Sequence, residues 1–276
     1  MGRSLKRGLK LTLVLATLVW AGCEQVEARG LVKEGNKLYR AGKLAQALVK
    51  FEAARTLDPD FPLVHLHIGY AAMGLSRAGK KEDPQAKKAA SAFHRYMQLK
   101  PGDQRGSMFY LKVLSDTGRF DEARTFLKKR LDRDPTDVKT VSNLGLFSSK
   151  AGRFKDALKW YSRRVELEPN NPTARYVVGA LCFTHLRKNR GKIVGAERVT
   201  IADRGIAALK KAASLQRGYV KALIYINLLY RQRALAHEDP IKKKRDTKLA
   251  DEYYARADAL RLAKKKSKGK KAKEQR

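Results

Sequence analysis

The sequence predicts an all-α fold of about six stacked helix–turn–helix units, and three observations lead there. An arrangement of glycine, small residue, aromatic and proline returns at 34-residue spacing. A hydrophobic content of 43% is enough for a packed core, while 32% charged and only 8% aromatic residues suit exposed helices. No strand pattern is evident, and no apolar run approaches the roughly 20 residues of a spanning helix, which excludes a polytopic membrane protein. Two cysteines exclude a disulfide framework. Among 276 residues, 61 are Lys or Arg and 27 Asp or Glu, a formal net charge of +34 that points to an anionic partner or surface.

The first 22 residues form a separate segment. Arg3, Lys6, Arg7 and Lys10 precede the apolar run Leu11 to Ala21, the layout of a secretory signal peptide. The run closes on Ala21-Gly22-Cys23, which resembles a bacterial lipobox, although Trp20 stands where such boxes usually hold Leu. The resemblance implies cleavage before Cys23, with residues 1–22 removed and Cys23 lipidated. Residues 23–27 are then a short tether of at most about 18 Å.

The repeat is clearest between Gly35 and Pro59. With Gly35 at position eight of a unit, Gly42 falls at 15, Ala47 at 20, Phe51 at 24, Ala54 at 27 and Pro59 at 32. Small residues at eight and 20 let two antiparallel helices approach closely. The aromatic at 24 fills space beside the second helix, and proline ends that helix. Gly118, Phe120, Ala123, Leu127 and Pro135 repeat the register, as do Gly145, Gly152, Phe154, Ala157, Tyr161 and Pro169. The chain thus resembles tetratricopeptide-repeat proteins, and with its lipobox the bacterial lipoproteins of that family, including pilotin-like lipoproteins of type IV pilus secretins. The resemblance covers residues 28–263, as units 28–61, 62–103, 104–137, 138–171, 172–219 and 220–263. It implies a right-handed α-solenoid whose first helices line a concave groove.

Positions two, five, nine, 12 and 13 are those expected in that groove. They give Arg29, Asn36, Tyr39 and Arg40, then Leu66, Tyr70 and Met73, then Arg105, Met108 and Lys112. Further along they give Lys139, Leu146 and Lys150, then Tyr176 and Phe183, then Lys221 and Arg231. Apolar anchors with basic residues between them suit a peptide carrying hydrophobic and acidic side chains. A chaperone-type carboxylate clamp is not supported: Asn36 fits one of its positions, but Val32 and His67 occupy the other two.

The longer units place basic insertions between their helices, residues 77–88, 187–204 and 231–248, expected as loops along one edge. The last segment, 264–276, carries eight positive charges and one negative and is expected to be a disordered Lys-rich tail. Its contact with anionic headgroups would add about 1 kcal/mol per basic residue near the surface.

No metal site is expected, because His65 and His67 lie two apart, on different helix faces. Cys182 sits in an apolar helix and reads as a small core residue. No nucleophile–base arrangement or phosphate loop is present in the sequence, so no catalytic residue and no cofactor is expected. The expected function is a non-enzymatic protein–protein interaction scaffold at the bacterial envelope, facing the periplasm, with the outer membrane favoured by Glu24 after the cysteine. The alternative is a cytoplasmic adaptor binding nucleic acid or another anionic polymer. The leader argues against nucleic acid as partner, as does the lack of aromatics among the basic residues of the tail.

Overall fold

The computed structural model describes residues 23–274, with side chains through Ser267. The leader 1–22 lies outside the described residues, so its cleavage is not addressed by the fold. Within the described residues there are helices and turns and no strand. The helices are α1 (residues 23–40), α2 (Leu44–Leu57), α3 (Pro62–Leu75), α4 (Pro84–Leu99), α5 (Gln104–Asp116) and α6 (Phe120–Leu131). They continue with α7 (Val138–Lys150), α8 (Phe154–Leu167), α9 (Pro172–Lys188), α10 (Gly195–Leu215), α11 (Val220–Ala234) and α12 (Pro240–Glu274). Odd-numbered helices are the first, and even-numbered the second, of each predicted pair. The chain divides into two compact units between Ala123 and Arg124, inside α6.

Local chemistry sets the helix boundaries. Asp103, Asp137 and Asn171 cap α5, α7 and α9 by accepting from backbone N–H groups of the first turn. Pro62, Pro84 and Pro172 stand at helix starts, where a missing donor costs nothing. The turns within three pairs are built alike. Gly42, Gly118 and Gly152 adopt φ of +74°, +75° and +75°. The next residue's N–H reaches back to the last helical turn: Lys43 N to Leu38 O at 2.9 Å, Arg119 N to Leu114 O at 2.8 Å, Arg153 N to Ser148 O at 2.9 Å. This is the Schellman closure, and its left-handed residue is why glycine recurs at position 15.

Packing within pairs follows the pattern of position eight against position 24. Gly35 lies against the ring of Phe51, Gly69 against Phe93, and Gly179 against Leu209. In the second unit, a Cβ on Gly145 would sit 2.5 Å from Tyr161 Cε1. The aromatic therefore lies flat on the backbone of its own pair, and Phe51 also stacks on His67 of the following helix, with centroids 5.2 Å apart. Fully buried Phe51 and Phe93 anchor the first unit; truncating such a side chain costs about 3–5 kcal/mol. In the second unit the core runs through Cys182, Leu186, Ile206, Leu209, Ile226 and Leu229. Cys182 is a buried core residue as expected, and burial pushes its thiol up to about 12.

Three expectations need correction. Residues 23–27 are not an extended tether but the first turn of α1, rising only about 7.5 Å. The expected break at Ala263 is absent, because α12 runs on through Glu274; Lys, Ala and Arg are good helix formers, and nothing before Gly269 stops the helix. The insertions 187–204 and 231–248 are mostly helix rather than loop. Only residues 189–194 and 235–239 connect the helices there, since α10 is 21 residues long and α12 is 35.

A buried arginine holds the first of these connections. Arg198 is 2% exposed and donates to Ile193 O (2.8 Å), Arg190 O (2.6 Å) and Gln232 Oε1 of α11. Burial among neutral acceptors lowers its pKa, with Arg190 adding repulsion. A second buried ion cluster ties α11 to α12, where Asp246, fully buried, accepts from Arg233 (2.6 Å) and lies 3.0 Å from His237 Nε2.

Candidate partner-binding surfaces

In the first unit, the predicted groove positions fall on α1, α3 and α5. Tyr39 and Arg40 are exposed at the end of α1, with Arg29 exposed and Asn36 half-buried earlier on it. Tyr70 and Met73 are half-buried on α3, and Met108 and Lys112 are exposed on α5. Tyr70 is set by its neighbours: its ring meets Phe109 edge-on, with centroids 4.8 Å apart at 80°, and Phe93 at 5.7 Å. Phe109 in turn stacks on Phe93 at 5.6 Å. Burial in this cluster raises the Tyr70 phenol pKa. The result is an aromatic wall fixed to the core, with Met108, 52% exposed, and Tyr39, 37% exposed, left open to solvent.

Two predicted residues do other work. Leu66 is 2% exposed and belongs to the core, not the surface. Position five is a packing position at Val32 as well, and the nearly uniform apolarity of α3 hid which of its faces is inward. Arg105 is exposed, but its guanidinium is engaged: it donates to Asp103 Oδ2 at 2.6 Å and to Tyr96 Oη at 2.9 Å. That arginine beside Asp103, with the Tyr96 hydroxyl, holds the carboxyl well below the usual range, so the trio braces the start of α5. Lys112 pairs with Asp116 at 2.7 Å, both exposed, a contact worth little in water.

In the second unit, Lys139, Leu146 and Lys150 are exposed on α7, with Leu146 at 42%. Tyr176 and Phe183 are half-buried on α9 and meet a residue the register did not select, Tyr225 of α11. Tyr176 contacts Tyr225 edge-on at 5.3 Å and Tyr219 at 5.6 Å, and Phe183 contacts Tyr225 at 5.5 Å. Burial and the hydrogen bond with Tyr225 raise the Tyr176 phenol pKa. Lys221 is exposed, while Arg231 is partnered by Asn227 (2.9 Å) and Asp251 (2.8 Å). The missed aromatics carry a signal that was available: His67, Phe109 and Tyr225 all occupy position six of their repeats.

Among the described residues no cluster of three or more His, Cys, Asp or Glu side chains is placed to hold a metal ion. His65 is instead satisfied locally, its Nε2 lying 2.7 Å from Pro59 O. No helix among them is long and apolar enough to cross a membrane.

These features define a class: paired-helix units of tetratricopeptide type, whose first helices present aromatic, apolar or basic side chains. No family model matches the chain, and no curated protein matches it. Solved structures similar to it include PilW, described as a widely conserved type IV pilus biogenesis factor, at 19% identity and TM-score 0.46, covering 84% of this chain and 92% of that one. YrrB, a TPR protein with an unusual peptide-binding site, is similar at 16% identity and TM-score 0.43, covering 70% and 88%. Pseudomonas aeruginosa PilF is similar at 18% identity and TM-score 0.43, covering 86% and 93%. At such identities and scores, the fold assignment rests on this chain's own caps, turns and packing.

Proposed function

We propose that this chain is a non-enzymatic scaffold of the bacterial envelope, held to a membrane by lipid on Cys23, which grips a partner polypeptide with its first-helix faces. The observation that carries the reading is the set Tyr39, Met108 and Leu146. Each is left open to solvent at a groove position, Tyr39 and Met108 in the first unit and Leu146 in the second. Exposed anchors on a rigid support bind at low entropic cost. Surrounding lysines and arginines select a segment with acidic residues between apolar ones. The lipobox-like sequence and the repeat pattern support a partner in an envelope machine such as a pilus secretin, with the outer membrane preferred.

Because 23–27 is helical, lipid on Cys23 would hold the first pair within about 8 Å of the headgroups. In this reading the lysines of residues 264–276 add a separate, salt-sensitive attraction to anionic lipid.

Two measurements test the reading. Cells fed labelled palmitate should label the wild-type chain and not Cys23→Ser; an unlabelled wild type in the cytosol would favour the adaptor on anionic polymers. A photo-crosslinker at Met108 or Leu146 should capture one discrete envelope protein in intact cells, and the same crosslinker at exposed Val49 on α2 should not. Equal capture at all three positions would remove the groove from the account.

A further inference from the structure

The pair α9/α10 carries an element the repeat does not require. α10 is 21 residues long against 14 for α2 and α8, and the surplus lies at its start, before Gly205. Glu197, Thr200, Ile201 and Arg204 of this extension are spaced three and four residues apart, so they share one helix face. That face, the first turns of α8 and His185 near the end of α9 line an open cavity of about 670 Å³. The volume lies within the range of small-molecule sites.

Its walls are partly apolar. Leu158 and Ile201 line it, and the rings of Phe154 and His185 stack with centroids 3.8 Å apart and planes 3° from parallel. Five of its ten lining residues are charged: Arg153, Lys155 and Arg204 against Asp156 and Glu197. Lys155 and Arg204 have no ion-pair partner among the described residues, whereas the Asp156 carboxylate is taken by Arg124 at 2.7 Å. Glu197 remains as a single opposing acid. Asn189 Nδ2 lies 3.3 Å from His185 Nδ1, and donation there leaves the ring proton on Nε2. Burial keeps this imidazole below its usual pKa, hence neutral near pH 7.

We propose that this cavity binds an aromatic monocarboxylate, its ring against the Phe154–His185 wall and its carboxylate between Lys155 and Arg204. Two aromatic side chains in the wall favour an aromatic ring over a flexible alkyl chain, because rings pair edge-to-face as well as offset-stacked. Three cations against two acids leave the lining a net charge of +1, which favours one negative charge over a dianionic phosphate. None of the lining residues is one of the groove positions named above.

Purified full-length protein is titrated with naphthalene-2-carboxylate, with naphthalene-2-carboxamide and with acetate, read by calorimetry. The carboxylate should saturate a single site, the carboxamide should bind about tenfold more weakly, the difference made by one charge-assisted contact, and acetate should not bind measurably. Lys155→Gln and Arg204→Gln should each weaken the carboxylate several-fold to about tenfold and leave the carboxamide unchanged. Thr200→Trp, an exposed position on the cavity wall, should abolish binding of both at unchanged helix content, and Lys211→Gln, exposed on α10 away from the lining, should change nothing. Unaltered binding by the Thr200→Trp variant, equal losses in Lys211→Gln, or no saturation at millimolar ligand would each overturn the assignment.

Discussion

The glycine at position eight offers a sharp test of how the pairs are held together, because glycine to alanine has opposite expected signs at two helical sites. Gly30 lies within α1, and a Cβ there would meet nothing within 4 Å. Gly30→Ala should stabilise the chain by about 0.5–1 kcal/mol, through reduced backbone freedom in the unfolded chain and better helix propensity. Gly145 lies within α7, and its new Cβ would fall 2.5 Å from Tyr161 Cε1, 2.6 Å from Cδ1 and 2.9 Å from Cζ. The ring is buried and flat on the backbone, so the clash is with the whole edge of a rigid group. Overpacking of this kind costs about 1–3 kcal/mol, more than the propensity gain of about 1 kcal/mol. Net destabilisation of up to about 2 kcal/mol follows, an effect of several degrees for a chain of this size. Urea unfolding followed by circular dichroism would measure both variants, and Gly145→Ala/Tyr161→Leu should recover part of the loss. If Gly145→Ala stabilises the protein as much as Gly30→Ala does, the close approach of position eight to position 24 is not what selects glycine.

Further outcomes follow from individual contacts. Arg198→Ala should destabilise the protein by at least about 2 kcal/mol, because the carbonyls of Arg190 and Ile193 and the Gln232 amide lose a buried donor; hydrogen exchange should show residues 189–194 opening first. Asp103→Asn keeps the cap but removes the charge. Since the folded carboxyl titrates below its unfolded value of about 3.9, the wild type's advantage should be full above that pH and vanish as acid protonates Asp103, read as urea midpoints from pH 7 to pH 2. His65, His67 and His185 have pKa values lowered by burial, so their neutral forms favour folding above about pH 6.5. Stability should fall as pH drops through their lower folded values, and His67→Gln should flatten that slope in thermal melts. In unlipidated protein, exposed Cys23 should react with a thiol reagent at pH 8 in the native state, while Cys182, raised to about 12 and buried, should react only on unfolding.

The sequence alone determined the pairing of helices, because the signals involved are local. Gly42, Gly118 and Gly152 answer a left-handed turn, Asp103, Asp137 and Asn171 answer orphan amides, and the glycines at position eight answer a ring one helix away. The periodicity also put Tyr39, Met108 and Leu146 on a surface, where they are. Tertiary structure decided what depends on neighbours distant in sequence. Leu66 is core because neighbouring helices cover it while Leu63, one turn earlier on the same face, stays exposed, and Arg105 is a brace because Tyr96 and Asp103 reach it. Tyr225 completes the aromatic wall from another repeat, and residues 195–204 continue a helix and line an open cavity. A helical period fixes which residues share a face; which faces become interior depends on burial against the rest of the chain, which no single segment encodes.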